Sequence, residues 1–267
     1  MITLDKESEL LERYRSFSIF DIKCIGNMFS CLKIVWLTRS KLYRKSWINS
    51  SGSKKEVPPD YHNDKLHIMM EMMRVDDCIG ILNNEHVPNA FEKEGIFCKR
   101  AFGENYKKKN VGVTLIFVPN TDDPTKYTYD GYLKKFENVL LKHSNKIEKY
   151  KSNYPKCNKI IFFISDESNE FCETSNLDDK DKVEKGIDGV MVNWHIPYMD
   201  KRFIEIIKKC KCDYIIWFQH YKNMKRMFKL LVPRVIILDV KHFKLKGIDY
   251  DAKFMAKVKE VHNYDRV

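Results

Sequence analysis

The chain lacks the short signatures of the commonest nucleotide-dependent and hydrolytic chemistries. It has neither a G-x-x-x-x-G-K-[ST] loop nor a G-x-G-x-x-G turn, so nucleotide-dependent enzymes are disfavoured. No G-x-S-x-G elbow occurs, which leaves a Ser or Cys hydrolase unsupported. The 8 cysteines form no C-x-x-C pair, and Cys210 and Cys212 are too close together for a zinc knuckle. A structural metal site made of thiolates is therefore not expected. The first residues carry neither a basic n-region nor an apolar h-region, so secretion is not indicated and free thiols in a reducing cytoplasm are expected. Long apolar runs are missing too. The longest, over 19–37, is interrupted by Asp21, Lys23, Asn27 and Lys33, and neither a membrane span nor a membrane partner is expected.

Acidic residues are outnumbered by basic ones. Against 48 Lys and Arg stand 37 Asp and Glu, a formal charge of +11, which points to a polyanionic partner such as nucleic acid or an anionic membrane surface. Dispersed lysines on a solvated face are the plainer explanation. With 267 residues, 43% of them hydrophobic, the chain can bury a sizeable core as one large domain or two smaller ones.

What the sequence does have is a series of short, continuous apolar runs rich in β-branched and aromatic residues, at 111–118, 159–165, 189–195, 213–219 and 234–239. Such runs predict strands buried on both faces. Weaker strands are predicted at 78–82 and 96–101. Helical spacing predicts helices within 5–48, at 62–75 with Asp60 or Asn63 as N-cap, at 129–150, at 199–210, at 222–231 and near 250–261. Residues 178–181 read as an acidic loop. The expected fold is α/β, a mixed or mainly parallel central sheet flanked by helices, with an N-terminal helical layer. Residues 1–48 form that layer, 49–61 a loop or linker, and 62–267 the α/β domain.

Candidate chemistry follows from the strand ends, because open α/β sheets bind ligands beyond them. Asp166 and Glu167 follow a strand that should be central, and His195 and His220 each stand at a strand end. A carboxylate there can hold a metal or simply form a turn, and a histidine is more often structural than catalytic. Asp60, Glu71, Asp76 and Asp77 form the densest acidic group, able to converge on a divalent cation such as Mg2+, which takes hard oxygen ligands. Their plain alternative is capping and solvation. Asp239 and Lys241 make a D-x-K sequence at the end of a strand, a pattern easily produced by chance in a lysine-rich chain. Basic residues at Arg39, Lys41, Arg44 and Lys45, interleaved with Trp36, Tyr43 and Trp47, would suit phosphates and bases, and Lys107, Lys108 and Lys109 add a basic turn.

Taken together, Pro59-Asp60, Glu71 and Asp239-Val-Lys241 resemble the PD-(D/E)xK restriction-endonuclease-like superfamily. The spacing departs from that family's, since the two halves lie far apart and no E-x-K follows Asp60 nearby. The resemblance implies a metal-dependent nuclease or nuclease-derived protein acting on DNA or RNA, in a restriction or defence role. Asp60, Glu71, Asp166 and Asp239 would then hold Mg2+, and Lys241 would join Glu71, Asp166 and Asp239 in catalysis. The alternative is a non-catalytic nucleic-acid-binding or protein-interaction module with a basic face.

Overall fold

A computed structural model describes residues 6–50, 57–76, 128–187, 189–219 and 233–258. Its centre is a seven-stranded sheet. In chain order the strands are β1 (Ile22–Ile25), β2 (Ile48–Asn49), β3 (Tyr61–Asn63), β4 (Ile68–Val75), β5 (Lys159–Asp166), β8 (Tyr214–Phe218) and β9 (Val235–Asp239). Across the sheet they run β1-β9-β8-β5-β4-β3-β2. The central trio β4, β5 and β8 is parallel, β9 runs antiparallel to β8, and the hairpin partner β3 runs antiparallel to β4. The architecture is thus α/β with a mixed sheet, as the continuous apolar runs predict.

The runs at 159–165, 213–219 and 234–239 are continuous because both faces of the central sheet are covered. Ile160, Phe162 and Ile164 of β5 point to one core and Ile161 and Phe163 to the other, alternating as a strand must. Over the first face lie α4 (Tyr129–Ser144), α5 (Ile147–Asn153) and α7 (Lys201–Lys209), while α1 (Lys6–Ser16) and α2 (Met28–Arg39) cover the second. Each fully buried Ile or Phe contributes about 1.5–3 kcal/mol by leaving water. The helices start where side chains satisfy free backbone N–H groups: Asn27 accepts from Ser30 N, Thr128 from Gly131 N and Asp200 from Arg202 N. A short helix, α3 (Lys41–Arg44), follows α2.

A second, three-stranded antiparallel sheet is ordered β10-β6-β7, from Met255–Lys257, Phe171–Thr174 and Val192–Trp194. Helix α6 (Leu177–Lys185) packs on it.

Five local expectations are corrected. Residues 22–25, expected to be helical with the rest of 5–48, form β1 beside β9 in the central sheet, and the run at 189–195 gives only β7, a partly exposed strand of the second sheet. Residues 62–75 form the β3–β4 hairpin and not a helix. Their Met spacing fits helical periodicity, but β4 is buried on both faces between β3 and β5, and tertiary burial overrides the helix preference of Met. The acidic residues 178–181 lie in α6, not in a loop; Asn176 caps it, Gly186 ends it in the left-handed conformation at φ 77°, and Lys185 pairs with Asp181. Near the carboxyl end a 3-10 turn (Ala252–Phe254) and β10 stand where a helix over 250–261 was expected. The segments 78–82, 96–101, 111–118 and 222–231 lie outside the described residues, as do Asp77, Lys107, Lys108, Lys109 and His220.

Candidate functional site

The strand directions separate the predicted site residues. Asp239 is in register with Tyr214, which is in register with Ile161, so it lies at the amino end of β5, while Asp166 ends that strand. Five residues of strand correspond to roughly 16 Å. Asp239 also belongs to the opposite face, where its Cβ would lie 2.9 Å from a Cβ at Gly26 ahead of α2. Gly26, at φ 102°, is therefore required on two counts, conformation and space. Glu71 is in register with Phe162, four residues or roughly 13 Å along β5 from Asp166. Glu71, Asp166 and Asp239 accordingly do not meet around one ion. Among the described residues no group of three or more His, Cys, Asp or Glu side chains is arranged to hold a metal.

Asp166 is a saturated acceptor. Its Oδ2 accepts from Tyr132 Oη at 2.6 Å and Trp217 Nε1 at 3.0 Å; its Oδ1 accepts from Ser168 N at 3.0 Å and Ser168 Oγ at 2.6 Å. Four donors occupy the lone-pair positions of a carboxylate, so this buried charge is spent on holding β5, β8, α4 and the following turn together. Glu167 lies 3.7 Å from Arg74. Asp239 caps the 3-10 turn after β9, accepting from His242 N, and its other oxygen lies 2.9 Å from His242 Nδ1. Lys241 turns away and pairs with Asp213 at 2.9 Å, so the D-x-K residues do not act as a unit.

His195 is also held structurally. Its Nε2 lies 2.9 Å from Asp200 Oδ2, which accepts from Tyr129 Oη at 2.5 Å as well, within a ring of Phe203 and Tyr250. These contacts, with the Arg202 backbone N–H, hold the Asp200 carboxyl below its ordinary range despite the opposing effect of burial.

The arrangement differs at Asp60 and Glu71. Tyr61 opposes Met70 in the β3–β4 hairpin, so Asp60, one step further, stands across from Glu71 on the same face. The Asp60 carboxylate also accepts the Met72 N–H at 2.6 Å, satisfying a ladder donor just past the end of β3. Glu71 is buried, and its Oε1 accepts from Tyr150 Oη at 2.8 Å and lies 2.5 Å from His143 Nδ1. Its Oε2 is buried with no hydrogen-bond partner among the described residues. Burial, followed by the Glu71 charge, pushes the Asp60 carboxyl up from 3.8 to about 7, with the Met72 N–H and Lys146 opposing the rise. Burial and the Glu71 charge likewise push the Tyr150 phenol well above its usual range.

The basic stretch is partly consumed by the fold. Arg39 donates to the backbone oxygens of Arg15 and Phe17 and lies over the Tyr14 ring; Arg44 pairs with Glu12 at 3.1 Å. Trp47 is buried, its Nε1 donating to Leu37 O at 3.1 Å, whereas Lys41 and Lys45 are exposed.

No protein-family model, curated protein or solved structure matches the chain. The residues alone carry the functional argument. The proximity of Asp60 and Glu71 was foreshadowed by their common acidic cluster, but the contributions of His143 and Tyr150 were missed, because helical spacing in 129–150 marks only the buried stripe.

Proposed function

We propose that this protein is a divalent-cation-dependent phosphodiesterase acting on DNA or RNA, with Asp60 and Glu71 as its carboxylate ligands. The observation that carries this reading is the buried Oε2 of Glu71, without a hydrogen-bond partner among the described residues, beside a second carboxylate whose ionisation it opposes. Two like charges brought together away from water repel, and a divalent cation between them reverses the sign of that interaction. Magnesium commonly takes one or two protein carboxylates and completes its shell with water and phosphate oxygens, so a two-carboxylate set suits it. Bound there, the cation would stabilise charge developing on a phosphate. His143, oriented through Nδ1 by Glu71, is the imidazole nearest the pair for proton transfer, and Lys146 adds positive charge beside Asp60. The overall charge of +11 favours a polyanionic substrate.

The reading is tested by incubating purified protein with single- and double-stranded DNA and RNA in magnesium or manganese. Glu71→Gln and Asp60→Asn are expected to lower cleavage at least about a hundredfold. Wild-type protein that cleaves none of these substrates with either cation removes the enzyme reading. A non-catalytic nucleic-acid-binding module is the second reading, supported by the overall charge of +11, and it predicts salt-dependent binding without cleavage.

A further inference from the structure

Helix α2 is apolar nearly all round, yet among the described residues only half of it is covered. Cys31, Ile34, Val35, Leu37 and Thr38 face the core. On the opposite arc Met28, Phe29, Leu32 and Trp36 face outward, at positions that one turn after another bring to the same side, with Lys33 at the margin. Phe29 is 86% exposed. An all-apolar helix is ordinarily buried on every side or set against lipid. The last turn of α2 is tied through Arg39 to Phe17 O, and three residues beyond Phe17 the turn Ile19–Asp21 projects Phe20, 94% exposed. Helix α3 adds Leu42, 73% exposed, between Lys41 and Arg44.

Apart from Asp21, next to Phe20 in the same turn, and Glu12, which pairs with Arg44, the charge around these side chains is positive. Residues 22–50 contain Lys23, Lys33, Arg39, Lys41, Arg44 and Lys45 and not one Asp or Glu. Arg39 and Arg44 are held by the fold and Lys23 donates to Tyr198 Oη, which leaves the exposed lysines 33, 41 and 45 to face an external partner. A second copy of the chain is disfavoured, since an isologous contact sets this patch against itself and brings like charges together. Nucleic acid is disfavoured as well: Met28, Leu32 and Leu42 have no ring to stack on a base, and both guanidinium groups that would fork a phosphate are engaged elsewhere.

We propose that the outer face of α2, with the Phe20 turn and Leu42, docks on the surface of an anionic lipid bilayer. The apolar side chains enter the boundary between headgroups and acyl chains, and Lys33, Lys41 and Lys45 meet anionic headgroups. Among the described residues no helix is long and apolar enough to cross a membrane, and docking in the interface plane needs none. The surface lies on the α2 side of the sheet, whereas Glu71 faces α5 on the other, so lipid docking and the proposed cation site stand or fall separately.

The test is flotation of the full-length protein with phosphatidylcholine vesicles containing or lacking phosphatidylserine, with the fluorescence of Trp36 read against Trp36→Phe. The expected result is binding to the phosphatidylserine vesicles with a blue shift that Trp36→Phe abolishes. Phe29→Ser should weaken binding roughly tenfold or more. Each Lys→Ala change at 33, 41 or 45 should weaken it about fivefold at low salt. All these side chains are exposed, so circular dichroism and the melting temperature should not change. Absence of vesicle binding at low salt overturns the proposal. So does a dimer that Phe29→Ser dissociates, or a single-stranded oligonucleotide that binds through Phe29 while vesicles do not.

Discussion

The Tyr150 hydroxyl donates to Glu71 Oε1 at 2.8 Å, joining α5 to the middle of β4 and fixing a carboxylate in a place where an acid is otherwise costly. One oxygen is anchored and the other has no donor among the described residues, an arrangement suited to a ligand arriving from outside the chain.

Removing that anchor should be felt first as lost stability. Tyr150→Phe keeps the ring but strips one donor from a buried carboxylate, and is expected to cost about 1–3 kcal/mol. Urea unfolding measures it. Saturating magnesium should recover part of the loss if the cation binds Glu71, through preferential binding to the folded state.

Asp60 gives a pH signature. Its carboxyl is pushed up from 3.8 to about 7, so the folded chain holds this proton more tightly than the unfolded chain does. The associated stability is fully present below about 4 and is lost as pH rises through about 7. Asp60→Asn keeps an acceptor for the Met72 N–H and should flatten that part of the curve. Melting temperatures of the two proteins across this range provide the comparison, and parallel profiles would contradict the assignment.

Asp166 should act as a structural acid. Asp166→Asn places an amide N–H2 against donors from Tyr132, Trp217 or Ser168, and is expected to cost about 3 kcal/mol or more. Thermal unfolding checks the size. Cation affinity at Asp60 and Glu71 should stay unchanged wherever the variant is folded.

The basic residues divide in the same way. Arg39→Ala leaves the backbone oxygens of Arg15 and Phe17 without a donor and should destabilise the chain by about 1–3 kcal/mol. Lys241→Ala breaks a pair with Asp213 whose lysine end is exposed and should cost at most about 1 kcal/mol. Neither substitution should weaken vesicle binding by the folded protein, in contrast to changes at Lys33, Lys41 and Lys45.

Strands β5, β8 and β9 were legible in the sequence because Ile160 to Ile164, Tyr214 to Phe218 and Val235 to Leu238 are apolar on both faces. Their relative direction was not legible. Apolar pattern specifies burial and not polarity, and the reversal of β9 sends Asp239 to the far end of the sheet from Asp166. Strand β4 was hidden because Leu66, Met69, Met70 and Met73 fit a helical stripe, and only the pairing with β3 and β5 decides between the two periods. Helix α6 was masked by acids that read as a loop, although Asn176 and Gly186 mark its ends. The candidate site was half legible: Asp60 and Glu71 are near in sequence, while His143 and Tyr150 come from distant helices on packing.

The most direct measurement is a manganese titration followed by electron paramagnetic resonance on wild type, Glu71→Gln and Asp60→Asn, with circular dichroism confirming that each is folded. The account predicts a bound ion in the wild type and at least about tenfold weaker binding in either variant. No manganese binding by the wild type, or equal binding by all three, would contradict it.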